Sequence, residues 1–365
     1  MKKKIMFFMF SLAGGGAERT IVNIINNIDK TKFEVMLILG QRKNNEYLDL
    51  VSSDVKVQYL DCTRVKYCIL KLRKVILKEE PNFVFSTLNP NNVVLTIANM
   101  LTFSKKSKVV IREANNRSQS GKVNFPNKIL TFLTYNFLAD KVIALSHGVK
   151  DDLVNSFRIS SQKIKVIYNP VEIDKIKRLS NETVEEIINK EKEKIIIAVG
   201  RLVEQKDLST LIKAFALVDS KIASRLVILG IGPLENELKK LSRDLDVANK
   251  IIFLGFKKNP YKYIFQSDLF VLSSKWEGFG HVIVEAMACA TPVVSTDCKS
   301  GPGEIIGDNE YGVLSPVGDV EELARNIIKL LTNETLSNTY VRKGLERATN
   351  FKADSITNEY QNLFL

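Results

Sequence analysis

The chain has 365 residues, of which 45% are hydrophobic and 26% are charged. This length and composition predict two ordinary globular domains and argue against a disordered or low-complexity protein. The net charge of +12 is uneven: residues 1–170 carry 27 basic and 13 acidic side chains (+14), and the remainder carries 26 and 28 (−2). The positive charge of the first half is compatible with anionic lipid, nucleic acid or phosphorylated ligands as partners.

The four cysteines are Cys62, Cys68, Cys289 and Cys298, and the chain has only two histidines. No two of the cysteines form a Cys-x-x-Cys pair, so the sequence predicts no zinc cluster. Their number and spacing are typical of reduced, mostly buried thiols in a cytosolic protein.

The N-terminal segment MKKKIMFFMFSLAGGGAE has the basic start and apolar run of a signal peptide. The run is short, however, and three glycines and an amphipathic pattern follow it. We therefore expect a strand, a tight turn and a helix here. No apolar run in the chain approaches the ~20 residues that a membrane span requires.

Short apolar runs alternate with helical patterns along the whole chain. Runs that are apolar throughout indicate strands buried on both faces, and helices between them indicate parallel βαβ units. In the first half the predicted strands are 4–10, 34–39, 55–60, 83–88, 108–112, 141–145 and 164–168. In the second half they are 195–199, 226–229, 251–254, 269–272, 292–295 and 312–314.

A break follows Asn169-Pro170, because the next stretch is charged and has little apolar content. We expect an α/β protein of two doubly wound parallel-sheet domains, 1–168 and 195–345. Residues 169–194 are the predicted linker and connecting helix, and a helix at 355–365 is expected to pack back on the first domain. Ligands of such sheets bind beyond the carboxyl ends of the strands, so the natural site is the cleft between the two domains.

Three glycines, Gly14 to Gly16, follow the first predicted strand and open a helix. Glycines permit close backbone approach, and a helix N-terminus offers unpaired N–H groups to an anion. The segment is not the dinucleotide fingerprint, since Arg19 stands where its last glycine belongs, and it lacks the GK[ST] of a Walker A loop. A plain tight turn is an equally good interpretation of these residues.

Two cations, Arg201 and Lys206, follow the strand that ends the segment IIIAVG. They lie in the loop before a helix for which Asp207 or Ser209 is the predicted cap. An arginine fork and a lysine point charge at the carboxyl end of a strand suit a pyrophosphate, although solvated surface cations would look the same. The next turn, Gly-Ile-Gly-Pro, places Pro233 at a predicted first helical position.

The segment SSKWEGFGHVIVEAMACATPVV, residues 273–294, contains two glutamates eight positions apart. Glu277 is predicted in a loop, and Glu285 on the second turn of the helix that follows. The loop glycines free the backbone to wrap a phosphate. A carboxylate inside the same helix suits a ribose diol, since both hydroxyls donate to it. His281 is expected to contribute only its backbone N–H, because no partner for metal binding is evident.

These motifs, in this order, resemble the carboxyl-terminal domain of retaining glycosyltransferases of the GT-B fold, family 4 type. The resemblance rests on GRLVEQKD, ILGIGPLENELKKL, FLGF, the segment from SDLF to STD and GEIIGDNEYGVLSPVGDVEELA. The spacing from Glu277 to Glu285 is the signature of that family. GGGAERT resembles the Gly-Gly-Ala-Glu-Arg start of a subgroup that builds bacterial surface polysaccharides and lipid-linked oligosaccharides.

The resemblance implies catalytic roles for three side chains and a donor role for a fourth. Arg201 and Lys206 would hold the donor pyrophosphate and stabilise charge on the leaving nucleotide. Glu277 would contact hydroxyls of the transferred sugar. Glu285 would bind the ribose.

Further donor contacts are implied through the backbone. Amides at the helix start complete the sugar and phosphate contacts, the backbone after FLGF lies near the base, and glycines of the first domain approach the diphosphate. The full donor-binding set is Gly15, Gly16, Phe256, Gly278, Phe279, Gly280, His281 and Glu285.

The sequence departs from the family at the acceptor side. Related enzymes often have a histidine where this chain has Ala114, in the segment IREANN. Glu113, Asn115 or Asn116 are the candidates to replace it, and His147 is a further acceptor-side candidate.

The resemblance implies no metal and no cofactor beyond the nucleotide-sugar co-substrate, expected to be a UDP-sugar. The family's usual Gly-Asp-Gly turn has Ile231 at its centre here. The Asp-x-Asp formed by Asp244 and Asp246 is predicted on the surface of a polar helix. No side chain is identified as the catalytic base, for which a phosphate oxygen of the donor is the family's usual candidate.

The resemblance thus implies transfer of a hexose or N-acetylhexosamine to a saccharide acceptor, expected to be linked to a lipid pyrophosphate, with retention, in O-antigen, capsule or similar synthesis. A cytoplasmic protein peripheral on the inner face of the membrane is expected. The basic first domain would contact anionic lipid through residues 63–78 or 126–138, although both segments are also compatible with helices packed on the sheet.

Three other interpretations stay open. A sugar-nucleotide epimerase of the same fold would need no acceptor. A non-catalytic basic binding protein is disfavoured for nucleic acid because the chain has no clustered basic and aromatic motif and its second half is acidic. A non-catalytic sugar-nucleotide sensor is disfavoured because the chain keeps the full set of Arg201, Lys206, Glu277 and Glu285.

Overall fold

The computed structural model describes residues 2–103, 107–120, 123–184 and 193–365. These residues form two compact units. The first unit is Met1–Val171 together with Ala353–Leu365, and the second is Glu172–Lys352. Part of the predicted linker, residues 185–192, lies outside the described residues.

The first unit is built on a parallel sheet of seven strands in the order β3-β2-β1-β4-β5-β6-β7. Its strands are β1 Lys3–Met9, β2 Phe33–Leu39, β3 Lys56–Tyr59, β4 Phe83–Thr87, β5 Lys108–Glu113, β6 Lys141–Ala144 and β7 Ile164–Val166. Its first five helices are α1 Gly16–Asn27, α2 Cys68–Glu79, α3 Asn89–Met100, α4 Phe125–Leu133 and α5 His147–Phe157. A π-helical segment, Thr134–Leu138, continues α4.

The second unit contains a parallel sheet of six strands in the order β10-β9-β8-β11-β12-β13. The strands are β8 Lys194–Val199, β9 Ser224–Leu229, β10 Ile251–Gly255, β11 Leu269–Leu272, β12 Val293–Thr296 and β13 Val313–Ser315. The helices are α6 Ile173–Ser180, α7 Leu208–Asp219, α8 Glu235–Asp244, α9 Tyr261–Phe265, α10 His281–Ala288, α11 Pro302–Ile306, α12 Val320–Thr332 and α13 Glu334–Thr349.

The predicted fold class is confirmed. All thirteen strands lie within two residues of their predicted bounds. Most of them are apolar runs buried on both faces, whereas β3, at the edge of the first sheet, has no buried residue. In each sheet the strand order reverses beside the first strand, between β1 and β4 and between β8 and β11. Doubly wound sheets bind ligands at such switch points.

The last helix, α14 Ala353–Phe364, belongs to the first unit although it follows the second in sequence. Tyr360 and Phe364 are fully buried in the core of the first unit. The Phe364 ring lies 5.2 Å from the Phe83 ring and 6.3 Å from the Phe33 ring, in edge-on geometry. Aromatic burial therefore attaches the C-terminus to the N-terminal sheet.

Three local expectations need correction. Asp207 stands at the N-cap of α7, but its carboxylate accepts a hydrogen bond from the Thr210 hydroxyl (2.8 Å) and caps no backbone N–H. Helix α8 begins at Glu235, so Pro233 precedes the first helical position. The same helix ends at Asp244, and Asp246 lies beyond it in a left-handed conformation, although both are exposed as expected.

The four cysteines are all buried and reduced. Burial raises the pKa of the Cys68 thiol and that of the Cys298 thiol to about 12. Within the described ranges, no helix combines the length and the apolar character that crossing a bilayer requires.

Candidate functional site

The loop 273–280 joins the buried strand β11 to helix α10. Gly280 caps the helix with a φ of 86°, a conformation that favours glycine. Gly301, also at φ 86°, packs against the loop so closely that a Cβ there would lie 2.1 Å from the Phe279 carbonyl oxygen. The start of α10 is therefore held in one position by backbone contacts that only glycine permits.

Glu277 in this loop forms an ion pair with Lys206, 71 residues away in sequence. The Lys206 Nζ lies 2.5 Å from Glu277 Oε1, and the Ser274 hydroxyl donates to the same oxygen at 2.7 Å. The side chains are only 15% and 9% exposed. The structure thus brings two predicted site residues together, and the lysine compensates a buried carboxylate.

The loop between β8 and α7, residues 200–207, is fastened to the Glu277 loop at several further points. The Ser273 hydroxyl donates to the Lys206 carbonyl at 2.8 Å. The Gln205 side-chain amide donates to the Trp276 carbonyl at 2.9 Å, and the Lys275 N–H donates to the Gln205 carbonyl at 2.8 Å. Lys206 and Glu277 consequently have little freedom to separate.

Glu285 lies on the second turn of α10 and is 3% exposed. Its Oε1 accepts a hydrogen bond from the Tyr261 hydroxyl at 3.0 Å and lies 3.6 Å from His281 Nε2. The His281 ring thus lies near the Glu285 carboxylate, a proximity that the sequence did not lead us to expect; the role of its backbone N–H stays a prediction. A carboxylate retains lone pairs for further donors beside these two contacts.

Arg201 stands two residues after the end of β8 and is exposed. In the part of the chain that the structure describes, its guanidinium forms no hydrogen bond or ion pair. The neighbouring turn requires Gly230, because a Cβ there would lie 1.9 Å from the Gly200 carbonyl oxygen. The carboxyl ends of β8 and β9 are thus in backbone contact beside an available cation.

Phe256 follows β10, with its side chain 51% exposed. The residues of the second unit that we predict on the donor side therefore follow β8, β10 and β11, three of the strands in its sheet, at the carboxyl edge. This shared edge is where a doubly wound sheet binds a ligand.

In the first unit, the glycine turn leads from β1 into α1. Gly14 has a φ of 78°, Gly15 is the N-cap and Gly16 is the first helical residue. The Glu18 carboxylate folds back over this start, and a Cβ on Gly15 would lie 2.6 Å from its Oε2. An anionic ligand that binds the N-terminus of α1 would therefore lie close to the Glu18 carboxylate.

The acceptor-side candidates follow the adjacent strands β5 and β6. Glu113 ends β5, is 2% exposed and accepts a hydrogen bond from the Tyr135 hydroxyl at 2.8 Å. Asn115 is half-buried and Asn116 buried. His147 begins α5 and is exposed. The structure therefore groups these residues at one sheet edge but turns the Glu113 carboxylate inward.

Sequence reasoning missed three side chains that contact predicted site residues: Tyr261, Ser274 and Tyr135. Ser274 is three residues before Glu277, so its proximity could have been inferred from the loop. The two tyrosines lie far from their partners in sequence, and nothing in the local pattern distinguishes them from core aromatics. Within the described residues, no group of three or more His, Cys, Asp or Glu side chains is placed to hold a metal ion.

Burial raises the pKa of Glu113, and the nearby Arg117 opposes this shift without cancelling it. A raised folded-state pKa means that this carboxyl favours folding at low pH and that the benefit is lost as pH rises above the ordinary value of 4.5. We therefore expect the free energy of unfolding of the Glu113→Gln variant, relative to that of wild type, to increase as the pH rises from 4.5 to 8. Urea unfolding across this range measures the difference, and Glu46→Gln, at an exposed position, is the control. A difference independent of pH would contradict the expectation.

Comparison with protein families identifies two matching models. Residues 180–347 match the model described as Glycosyl transferases group 1, and residues 14–175 match Glycosyltransferase Family 4. The junction of the two matches falls close to the boundary between the structural units at Val171.

Among curated proteins, the chain is 34% identical over 366 residues to a Campylobacter jejuni enzyme. That enzyme is N-acetylgalactosamine-N,N'-diacetylbacillosaminyl-diphospho-undecaprenol 4-alpha-N-acetylgalactosaminyltransferase, and the match covers 96% of each chain. It is also 33% identical over 332 residues to an uncharacterized glycosyltransferase of Methanocaldococcus jannaschii, covering 80% of this chain and 81% of the other.

Among solved structures, HepE of Anabaena in complex with UDP and glucose superposes with a TM-score of 0.85. It is 21% identical and the superposition covers 99% of each chain, so this likeness establishes the fold. Together, the two parallel-sheet units, the paired family matches and the full-length relatives place this chain among the glycosyltransferases of the GT-B fold, group 1 and family 4 type.

Proposed function

We propose that the protein transfers a hexose or N-acetylhexosamine from a UDP-sugar to a saccharide linked to a lipid pyrophosphate, with retention, in the assembly of a bacterial surface polysaccharide. The observation that carries this proposal is the buried Lys206–Glu277 pair at the carboxyl edge of the second sheet, together with the buried Glu285 on the helix that follows the same loop. The name of the Campylobacter relative, which specifies a diphospho-undecaprenol acceptor, supports the lipid-linked acceptor. The UDP and glucose complex of HepE supports the donor.

In this proposal the leaving nucleotide is stabilised by side-chain cations and backbone amides. Arg201, exposed at the end of β8, supplies a planar fork for the pyrophosphate, and Lys206 supplies a compact charge. The amides of Phe279, Gly280 and His281 lie at the start of α10, where the helix dipole favours negative charge. Fixed charges and dipoles of this kind stabilise the charge that develops on the leaving nucleotide without reorganisation, so the proposed mechanism includes no metal ion.

The two glutamates have different roles in the proposal. Glu277, held by Lys206 and Ser274, accepts hydroxyl donors of the transferred sugar. Glu285, held by Tyr261, accepts the hydroxyls of the ribose, and Phe256 lies near the base. The acceptor oxygen bonds to the anomeric carbon as the bond to the diphosphate breaks on the same face, and the hydroxyl proton passes to a phosphate oxygen.

The first unit is proposed to contact an anionic membrane surface through helix α4. The two candidate segments differ in how they expose their apolar side chains. In α2, the predicted apolar face is turned toward the unit, since Leu72 and Ile76 are buried. Leu70 and Leu77, elsewhere on this helix, are exposed. In α4, Ile129 and Leu133 share one face and are 44% and 46% exposed, next to a basic Lys128. Exposed apolar residues beside a cation suit the interface of an anionic bilayer.

Flotation of the full chain with vesicles tests this contact. We expect the double variant Ile129→Ser and Leu133→Ser to reduce recovery on phosphatidylglycerol vesicles several-fold. The matched control is Leu70→Ser and Leu77→Ser on α2, whose side chains are 66% and 42% exposed. Equal recovery of wild type on neutral and anionic vesicles would contradict the proposed membrane contact. So would recovery of the α4 variant at the level of wild type.

The function itself is tested with a panel of sugar nucleotides and a lipid-pyrophosphate saccharide extract. The expected result is release of UDP that depends on acceptor, with an anomeric configuration in the product that matches the donor by NMR. Epimer formed without acceptor would favour an epimerase instead. No turnover with any donor would favour a binding protein.

A further inference from the structure

The loop after β5, residues 114–118, is fixed by side chains from three directions; we call it the β5 loop. Asp152 on α5 accepts hydrogen bonds from the backbone N–H groups of Arg117 (2.8 Å) and Ser118 (3.2 Å). Glu113 accepts from the Ala114 N–H at 3.2 Å. The Asn115 side-chain oxygen accepts from the next backbone N–H at 3.0 Å.

A second layer holds the side chains that fix this loop. Arg117 donates to the Thr131 hydroxyl of α4 at 2.8 Å, and its guanidinium lies 4.5 Å from the centre of the Phe157 ring. Tyr135, in the π-helical segment, donates to Glu113 at 2.8 Å. The same hydroxyl accepts from the side-chain amides of Asn92 at 3.0 Å and Asn89 at 3.2 Å.

These contacts place three ionisable side chains in a nearly dry environment: Glu113, Arg117 and Asp152 are 2%, 8% and 7% exposed. Burying charges costs free energy, and apolar packing of similar volume would often be as stable. The cluster therefore contributes more to the shape of the loop than to stability. π-helical turns such as the one carrying Tyr135 also occur frequently at functional sites.

What the fixed loop presents to its surroundings is Asn115. Its side chain is half-buried, and within the described residues its amide nitrogen has no hydrogen-bond partner. Glu113, by contrast, is engaged through both carboxylate oxygens, by Tyr135 and by Ala114. Glu113 is also only 2% exposed, so its carboxylate is withdrawn from a ligand that reaches the surface of the loop.

We propose that the β5 loop is a preformed recognition element for hydroxyl groups of the acceptor sugar, with Asn115 as the contact and Tyr135 as a positioning residue acting through Glu113. The proposal rests on the proposed function, since it assigns the acceptor of that reaction to this loop. An amide donor held rigidly suits a sugar hydroxyl, because no ordering of the loop opposes binding.

The test measures binding without turnover. The probe is a short-chain polyprenyl diphosphate carrying a terminal N-acetylgalactosamine, titrated calorimetrically into the full chain, with UDP titrated separately. We expect Tyr135→Phe and Asn115→Ala each to weaken probe binding by about tenfold, the loss typical of one well-placed hydrogen bond. UDP affinity should stay unchanged in both variants. Tyr67→Phe, at an exposed tyrosine on the same unit, is the matched control.

The pH dependence of probe binding separates positioning from a merely structural role. The groups facing Glu113 are Tyr135, Arg117 and Asp152. Because the Tyr135 hydrogen bond favours the ionised carboxylate, its removal raises the pKa of Glu113. In wild type we expect the affinity for the probe to fall at low pH, as Glu113 becomes protonated. This fall should occur at higher pH in Tyr135→Phe and should be absent from Glu113→Gln.

Three outcomes would overturn the inference: no saturable probe binding by wild type that binds UDP, unchanged probe affinity in both variants, or equal losses for probe and UDP. Wild type that binds both ligands but transfers no sugar from any donor would contradict the proposed function and leave this inference standing.

Discussion

Replacing Lys206 by methionine is expected to lower kcat/KM for the sugar-nucleotide donor by about 10²- to 10³-fold, the loss seen when one fixed group that stabilises developing charge is removed. The substitution also leaves the buried Glu277 carboxylate without its cation. That carboxylate would then repel the donor phosphates. Steady-state kinetics with varied donor measures the effect, and Lys275→Met, at a more exposed lysine two residues before Glu277, is the matched control.

A double variant separates the two causes. Lys206→Met alone should lower the free energy of unfolding by about 1–3 kcal/mol, less than for a fully buried pair because Lys206 retains some solvent contact. Adding Glu277→Gln removes the uncompensated charge and should restore most of this stability. Activity should stay low, since both proposed donor contacts are then missing. Full activity in the single variant would remove Lys206 from the catalytic role.

Replacing Glu285 by glutamine is expected to weaken UDP binding by about 10- to 100-fold, because a charge-assisted hydrogen bond is worth about 1.5–3 kcal/mol. The amide matches the carboxylate in volume but has one acceptor oxygen in place of two, and the Tyr261 hydroxyl competes for it. Calorimetric titration of UDP measures the change. Glu321→Gln, on an exposed position of α12, is the control.

A ligand with one hydroxyl fewer sharpens this experiment. Wild type should bind 2′-deoxy-UDP more weakly than UDP, since one donor to Glu285 is lost. The Glu285→Gln variant should discriminate between the two ligands far less. If both proteins discriminate equally, Glu285 does not contact the ribose 2′-hydroxyl.

Much of the fold could be predicted from local pattern. Strands buried on both faces are continuous apolar runs, so their existence and their order along the chain can be predicted from the sequence. The loop glycines and the spacing of Glu277 and Glu285 are equally local, because both glutamates belong to one strand–loop–helix unit. For the same reason the position of Arg201 just after β8 could be anticipated.

Contacts between distant segments could not be predicted. Lys206 and Glu277 are 71 residues apart and meet because β8 and β11 are neighbours in the sheet. Tyr261 reaches Glu285 from the short helix α9, which no periodicity singles out. Likewise, the amphipathic pattern of α2 and the apolar composition of α4 do not say which helix faces the sheet and which faces solvent.

The sequence by itself determined the two parallel-sheet units, the family and the local motifs, because hydrophobic periodicity and turn residues act over a few positions. The tertiary structure decided how charges are compensated: Glu277 by Lys206, and Glu113 by Tyr135 and Arg117 in a buried cluster. The physical reason is that the energy of a buried charge depends on which side chains the sheet order brings beside it, and that order is not encoded in any short stretch of sequence.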